Sequence, residues 1–284
     1  MRWIDRVERA WMARRRGAAA PGTRAVAAGG AIFRVRVVGR GGPTIVLAPD
    51  PPNVIEHLAA VAEALAVRHR VVCVELPGFG FSVAPTDFDF SVAANSRLIG
   101  ALLDELDLGP YAIALPCLAG AIGAVLATQR PALISHVIGI QAPGLEGTRA
   151  WIRRVDPRGV VGRAGLGQAV VLATRHRLAR GWYRAALADR GRLDDFVAGA
   201  DAAYARGATY PLASALQAAA RARGPAPRPA QPTLAIWGGR DRTHRGTRHD
   251  ELYPGAPVVV LDAAGHFPEL EDVAGFTAAI DAFL

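Results

Sequence analysis

Apolar and polar positions change rhythm several times along this chain, and the changes divide it. Near the N-terminus, Trp3, Val7 and Trp11 recur at i, i+4 and i+8 with Ile4 beside them, so residues 3–16 predict an amphipathic helix. Such a stripe is expected to pack on the body of the protein; a dimer contact or docking surface is the alternative. Gly17 to Pro21 should end the helix. Strict alternation follows. Arg24–Ala28, a Gly29-Gly30 turn and Ile32–Val38, where Phe33, Val35 and Val37 alternate with Arg34 and Arg36, read as a hairpin.

From Thr44 onward the apolar runs are short and unalternating, with helical stretches between them. Strands are predicted at Thr44–Ala48, Val71–Leu76, Tyr111–Leu115 and Ile134–Ile140, and helices at Ile55–Val67, Ser91–Leu106 and Cys117–Gln129. Continuously apolar strands alternating with helices imply an α/β fold with a mainly parallel sheet covered on both faces. After Gly144 the strands stop. Ala150–Val155, Gly167–Trp182, Leu193–Ala205 and Thr209–Arg223 read as helices, an insertion expected to cap the strand ends. Gly224 to Pro229 is a stiff linker. The sheet resumes at Thr233–Trp237 and Pro257–Leu261, with a helix near Arg245–Tyr253 and another at Ala274–Leu284. The expected division is an N-terminal helix (1–22), a core (23–146), a helical cap (147–207) and the rest of the core (208–284).

At 284 residues and 51% hydrophobic, the chain can bury one large core with a small lid. Cys73 and Cys117 are the only cysteines, which is no disulfide framework and fits a reducing cytoplasm. No apolar run is long enough to span a bilayer. The arginines at 14 to 16 precede a Gly-Ala stretch rather than the apolar core of an export signal. The net charge is +8 and every basic residue is arginine. A GC-rich genome accounts for that choice; the functional reading is attraction to an anionic small-molecule substrate, a phosphopantetheine or an acidic carrier protein. Nucleic acid is disfavoured because no dense basic stripe is interleaved with aromatics. No metal-ligand cluster or phosphate-binding glycine loop is apparent, and no cofactor is expected.

The chemistry centres on Tyr111–Leu115, which breaks at Pro116-Cys117 into a helix of small residues. A strand turning sharply into a helix with a nucleophile at the corner has the geometry of a nucleophile elbow. The corner exposes Cys117 and frees the Leu118 N–H to hold an oxyanion. The plain alternative is a buried thiol. A nucleophilic cysteine needs a base, and the base needs an orienting carboxylate. Asp241 follows the strand at Thr233–Trp237, and His266 follows the one at Pro257–Leu261. Nucleophile, acid, histidine is the chain order that such an elbow requires.

Two further stretches match a known pattern. Glu75-Leu76-Pro77-Gly78-Phe79-Gly80-Phe81-Ser82 is similar to an Asp-x-Pro-Gly-x-Gly-x-Ser turn, and Ala264-Gly265-His266-Phe267-Pro268-Glu269-Leu270-Glu271 to a histidine loop. From about Ile32 to Leu284 the chain resembles the lid-bearing α/β-hydrolase-fold proteins, which include epoxide hydrolases, haloalkane dehalogenases and small esterases. The resemblance implies an eight-stranded sheet, a Cys117–His266–Asp241 triad, and an oxyanion hole from the Leu118 and Asp50 N–H groups. The other histidines (His57, His69, His136, His176, His244, His249) lack that loop context and are taken as surface or core residues. The second place where the family sometimes puts its acid, after Ile140, holds Gln141.

The chain departs from the family at three points. Leu115 and Ala119 stand where the nucleophile is normally flanked by glycines. Ala48-Pro49-Asp50-Pro51-Pro52-Asn53 replaces the usual His-Gly segment. A carboxylate at Asp50 would oppose a developing oxyanion. It points away, or is protonated, or the reaction does not pass through an ordinary oxyanion; capping the next helix is the bland alternative.

The expectation is an enzyme of acyl chemistry: cleavage of a thioester, ester or lactone, or acyl transfer or cyclisation, as in secondary metabolism. The alternative is a non-hydrolytic cyclase, lyase or isomerase using Asp50 and His266. A non-catalytic small-molecule binder is disfavoured by the matched acid and base.

Overall fold

The structure, a computed structural model, describes residues 3–14 and 20–284. The last part of the predicted N-terminal helix and its stop, at residues 15–19, lie outside the described residues. Eight strands form one sheet: β1 (Thr23–Ala28), β2 (Ala31–Val38), β3 (Thr44–Leu47), β4 (Arg70–Val74), β5 (Tyr111–Pro116), β6 (Ile134–Ile140), β7 (Thr233–Gly238) and β8 (Val258–Leu261). Their order is β1-β2-β4-β3-β5-β6-β7-β8. The β1–β2 and β2–β4 pairs are antiparallel, and the other five are parallel. The β1–β2 turn uses Gly29 and Gly30, both at positive φ (56° and 82°), as a tight hairpin of right-handed strands requires.

The helices are α1 (Trp3–Ala13), α2 (Ala59–Ala66), α3 (Val92–Leu106), α4 (Gly120–Gln129), α5 (Leu145–Val155), α6 (Leu166–Ala186), α7 (Leu193–Ala205), α8 (Leu212–Arg221), α9 (Pro268–Glu271) and α10 (Val273–Phe283). Every residue of β3 and β5 is buried, which explains why these strands read as unbroken apolar runs. One face packs Ile45, Leu47 and Cys73 with Val61 and Leu65 of α2 and Phe276 and Ile280 of α10. The other packs Val46, Val72 and Ile113 with Leu98 and Leu102 of α3 and Ala124 of α4. The Ser91 hydroxyl caps α3 by accepting from the Ala94 N–H at 3.1 Å.

The turn after β4 is held by a buried carboxylate. Glu75 accepts from Arg34 Nη1 at 2.9 Å, from Phe81 N at 2.6 Å and from Ile55 N at 3.2 Å. Gly80, at φ +57°, lies so close that a Cβ there would meet the Glu75 carboxyl carbon at 2.5 Å. Four helices, α5 to α8, intervene between β6 and β7. The connection between α7 and α8 is pinned to this turn by paired Gly80–Thr209 backbone bonds of 3.0 and 2.7 Å.

Three expectations need correction. Helix α1 is turned over. Trp3, Val7 and Trp11 are exposed (69%, 52% and 41%), while Ile4, Asp5, Glu8 and Met12 are buried. Its buried acids have partners: Asp5 accepts from the Ser214 hydroxyl at 2.6 Å, and Glu8 from Tyr210 N at 3.3 Å with Arg175 at 3.9 Å. Arg175 also stands 5.3 Å over the Trp11 ring. Second, residues 245–253 form turns, not a helix. The Trp237 indole N–H donates to His249 O, and the Glu251 carboxylate takes the N–H groups of Glu146 and Gly147 at the start of α5. Third, the helix expected at Ile55–Val67 opens with a 3-10 turn at Ile55–Leu58 and ends as α2 at Ala66.

Burial raises the Glu8 carboxyl from the ordinary 4.5 to about 7, against the pull of Arg175. The folded protein therefore binds a proton there that the unfolded chain has already lost. Its stabilising contribution is full below pH 4.5 and disappears as pH rises through 7, a swing of about 3 kcal/mol. Glu8→Gln should flatten this part of the stability-versus-pH curve and raise the melting temperature at pH 8. Parallel urea titrations of both proteins at pH 5 and 8 measure it; equal pH slopes would reject it.

Candidate active site

Four loops at the carboxyl ends of β3, β5, β7 and β8 bring Asp50, Cys117, Asp241 and His266 together. At the β5 end the backbone turns abruptly: Pro116 is extended (ψ 154°) and Cys117 is left-handed (φ 48°) before a short 3-10 turn leads into α4. Positive φ on a side-chain-bearing residue is strained, and here it aims Cys117 at the cavity. The glycines missing at Leu115 and Ala119 are supplied elsewhere. A Cβ on Gly120 would stand 2.5 Å from the Ala142 Cβ, and one on Gly139 would stand 2.5 Å from the Tyr253 ring. Gly120 therefore lets the start of α4 approach Ala142, just after β6, and Gly139 makes room for the Tyr253 ring.

His266 is 2% exposed and its two ring nitrogens face two carboxylates. Nδ1 is 3.0 Å from Asp241 Oδ2, and Nε2 is 3.0 Å from Asp50 Oδ2. The Cys117 Sγ, the His266 ring and an Asp50 carboxylate oxygen lie within 4.8 Å of one another. Asp50 thus turns inward to the histidine and does not cap the following helix. Burial works against the His266 imidazolium, but Asp241 on one side and Asp50 on the other outweigh it and hold the group well above the ordinary histidine range. Burial, reinforced by the Asp50 charge, pushes the Cys117 thiol up to about 11, although His266 and the Leu118 N–H favour the thiolate.

Asp241 is a saturated acceptor. Oδ1 takes the Thr243 N–H at 2.7 Å, and Oδ2 takes Gln141 Nε2 at 2.7 Å and His244 Nδ1 at 3.1 Å besides His266. Burial alone would raise this carboxyl, yet the charge of His266 and these bonds hold it far below the usual carboxylate range. Gln141, at the alternative acid position, orients Asp241 and also accepts from the Gly238 N–H at 2.7 Å.

The sequence reading missed His244, taken there as a surface or core histidine. It shares Asp241 with His266 and stacks on it, with ring centroids 5.1 Å apart and planes 13° apart. Trp151 of α5 lies parallel beyond it at 6.2 Å, and Trp182 of α6 stands edge-on to His266 at 4.9 Å. The signal was the three-residue spacing of Asp241 and His244, which puts both side chains on one turn. The two tryptophans carried no signal, since only the packing of α5 and α6 brings them here.

Above these groups opens a cavity of about 820 Å³, with Asp50 and Cys117 on its wall beside Trp151, Trp182, Phe79 and Tyr210. Arg154, Arg177, Arg221, Arg223 and Arg242 also line it. Arg154 and Arg242 donate to backbone carbonyls, among them Arg245 O and Ala185 O, whereas Arg177, Arg221 and Arg223, the last donating to Ala222 O, are exposed at the rim.

A strained elbow after β5, an acid after β7 and a histidine after β8, on a mainly parallel eight-stranded sheet, define the class. The chain belongs to the alpha/beta hydrolase fold family, whose model matches residues 51–273. An uncharacterized hydrolase of Saccharomyces cerevisiae is 30% identical over 98 residues, 34% of each chain, so the match spans about a third of that relative's length. Among solved structures, the Cif epoxide hydrolase from Acinetobacter nosocomialis superposes with a TM-score of 0.78 at 15% identity, covering 100% of this chain and 98% of that one. An enol-lactonase from Burkholderia xenovorans LB400 superposes with a TM-score of 0.70 at 21% identity, covering 92% and 99%. At these identities the superpositions establish the fold. No helix among the described residues is long and apolar enough to cross a membrane.

If the Asp50 charge helps to hold the Cys117 thiol up, Asp50→Asn should lower it and speed alkylation by iodoacetamide at pH 8 severalfold, to about tenfold per pKa unit gained. Cys73, fully buried and pushed to about 12, is the internal control. Peptide mapping by mass spectrometry measures both sites. An unchanged rate at Cys117 would mean that burial alone sets its reactivity.

Proposed function

We propose that the protein is an enzyme of acyl chemistry on ester-like bonds, cleaving or transferring the acyl group of a thioester, ester or lactone with Cys117 as nucleophile. The observation that carries this reading is the left-handed Cys117 at the cavity floor, within reach of His266. A thioester intermediate keeps the acyl group activated, so release to water or to another nucleophile is open to the same site.

The unusual Asp50 takes part as a proton store. In the resting site the proton between Asp50 and His266 sits on Nε2. When substrate fills the cavity and excludes water, that proton passes to Asp50 Oδ2, leaving His266 neutral at Nε2. His266 then takes the Cys117 thiol proton as Sγ bonds to the acyl carbon and the carbonyl π pair moves to oxygen. The protonated Asp50 and the Leu118 N–H donate to that oxygen, so a group that would repel an oxyanion becomes a donor to it. Collapse expels the leaving group, which receives the proton from His266. Asp241 keeps Nδ1 protonated and the ring oriented throughout.

The substrate class follows from the cavity. Its aromatic walls suit an apolar body, and Arg177, Arg221 and Arg223 at the rim suit an anionic end such as a carboxylate or the phosphate of a pantetheine arm. Asp89 and Asp156 also line the cavity, but their carboxylates accept backbone N–H groups from Ser91, Val160 and Gly162.

The 3.0 Å contact of His266 Nε2 with Asp50 favours a second reading, a non-hydrolytic cyclase, lyase or isomerase in which that pair moves a substrate proton and Cys117 only lines the pocket. Turnover and intact mass on a panel of acyl thioesters, aryl esters and lactones, each with an apolar chain and a terminal carboxylate, separate the two. The acyl reading expects an adduct on the wild type that is absent in Cys117→Ala, with turnover down roughly a thousandfold or more. Turnover that survives Cys117→Ala would overturn Cys117 as the nucleophile. No adduct and no turnover on any acyl donor would overturn the first.

A further inference from the structure

The sequence shows no metal-ligand spacing, yet the fold assembles a donor set that metal chemistry recognises. Cys117 offers a sulfur, His266 a ring nitrogen and Asp50 a carboxylate oxygen, all within 4.8 Å of one another. Mixed N, O and S donors this close together, two of them on a cavity wall, are the donor types of an accessible zinc site. Tetrahedral coordination with bonds of about 2.0–2.3 Å sets its ligand atoms roughly 3.3–3.8 Å apart. The 3.0 Å separation of Nε2 and Asp50 Oδ2, and the sulfur distances, which are at most 4.8 Å, each reach that range with side-chain shifts on the order of 1 Å.

Three features argue that the cluster would work as a site. His266 Nδ1 is occupied by Asp241, which fixes the ring so that Nε2 is the nitrogen turned toward Cys117 and Asp50. A carboxylate behind a ligating histidine is the standard outer-sphere support of zinc. That carboxylate is itself held by Gln141 and Thr243, so the ring is already oriented. Asp50 and Cys117 line the 820 Å³ cavity, which gives the ion an entry path and leaves the fourth position for water or a substrate oxygen. Thiolate and imidazole together select a soft or borderline cation over magnesium or calcium.

We propose that Asp50, Cys117 and His266 form a three-ligand site for a thiophilic divalent cation, with Zn²⁺ as the type ion and the fourth position open to the cavity. Binding displaces two protons to solvent, one from the Cys117 sulfur and one from the Asp50–His266 pair. The bound ion ties up the nucleophile and its base together, so it blocks acyl chemistry at Cys117. A second group of donors, Asp241, His244 and His266, lies on the far side of the same ring. It is the weaker candidate, because Asp241 already accepts from both imidazoles, from Gln141 and from Thr243. The inference does not rest on the acyl reading, since metal binding is measured without substrate.

The test titrates the purified chain with Co²⁺ and with Zn²⁺ against a chelating dye, and records the X-ray absorption fine structure of the Zn²⁺-loaded wild type. Expected are one ion per chain, a thiolate-to-cobalt charge-transfer band, and a zinc shell with one sulfur at about 2.3 Å and nitrogen or oxygen at about 2.0 Å. Affinity should fall a hundredfold or more in Cys117→Ala and tenfold or more in Asp50→Asn, and should be unchanged in Cys73→Ala. The fine structure on unmutated protein keeps the test decisive if a variant folds poorly. No binding, a zinc shell without sulfur, or binding that survives Cys117→Ala and is lost in His244→Ala would overturn the proposal.

Discussion

The site is organised by one buried imidazole between two carboxylates. His266 is withdrawn from water and touches Asp241 through Nδ1 and Asp50 through Nε2, each at 3.0 Å. A charge in that position is tolerable only because it is paired; removing one partner of a buried ion pair typically costs about 3–5 kcal/mol. The four loops that end β3, β5, β7 and β8 must therefore keep their relative positions. The parallel sheet does this, because hydrogen-bonded register fixes where each strand stops and thus where each loop begins.

The elbow at Cys117 depends on the same rigidity. A left-handed cysteine is held only where its surroundings over-determine the backbone. Here the start of α4 packs against Ala142 where Gly120 has no Cβ, and the Tyr253 ring, fitted over Gly139, donates its hydroxyl to Gly120 O at 2.7 Å. The family's usual flanking glycines are absent, and the close packing lies at these neighbouring positions instead. Strain at Cys117 and tight packing behind it are one feature seen from two sides.

Asp50 makes this site unlike an ordinary hydrolytic one. A carboxylate beside His266 repels negative charge while ionised and donates a hydrogen bond once protonated, so its effect depends on where one shared proton sits. The same closeness of sulfur, nitrogen and oxygen that lets a proton move among three groups also lets a single cation bind all three. Proton transfer and metal capture, as proposed, would compete for one set of lone pairs. The cavity above them, walled by aromatics and rimmed by arginines, governs which ligand arrives.

Much of this was legible in the sequence. Unalternating runs such as Ile45–Leu47 and Tyr111–Leu115 identify strands buried on both faces, because burial on both faces removes the need for polar alternation. The Pro-Gly-Phe-Gly turn, the break at Pro116-Cys117 and the histidine loop mark local backbone geometry, and local geometry is written in local residues. What tertiary structure decided was which side chains meet across long separations. The orientation of α1 was misread because apolar spacing finds a stripe but not its direction; Asp5 and Glu8 reversed it by finding Ser214 and Tyr210 about two hundred residues away. The turns at 245–253 replaced a helix because distant groups claim the segment's backbone and Glu251. Asp50 could have pointed anywhere from its proline-rich loop, and His244 was one histidine among several. Both were fixed by the packing of loops from different strands, and distances between loops that are remote in sequence have no signature in either one alone.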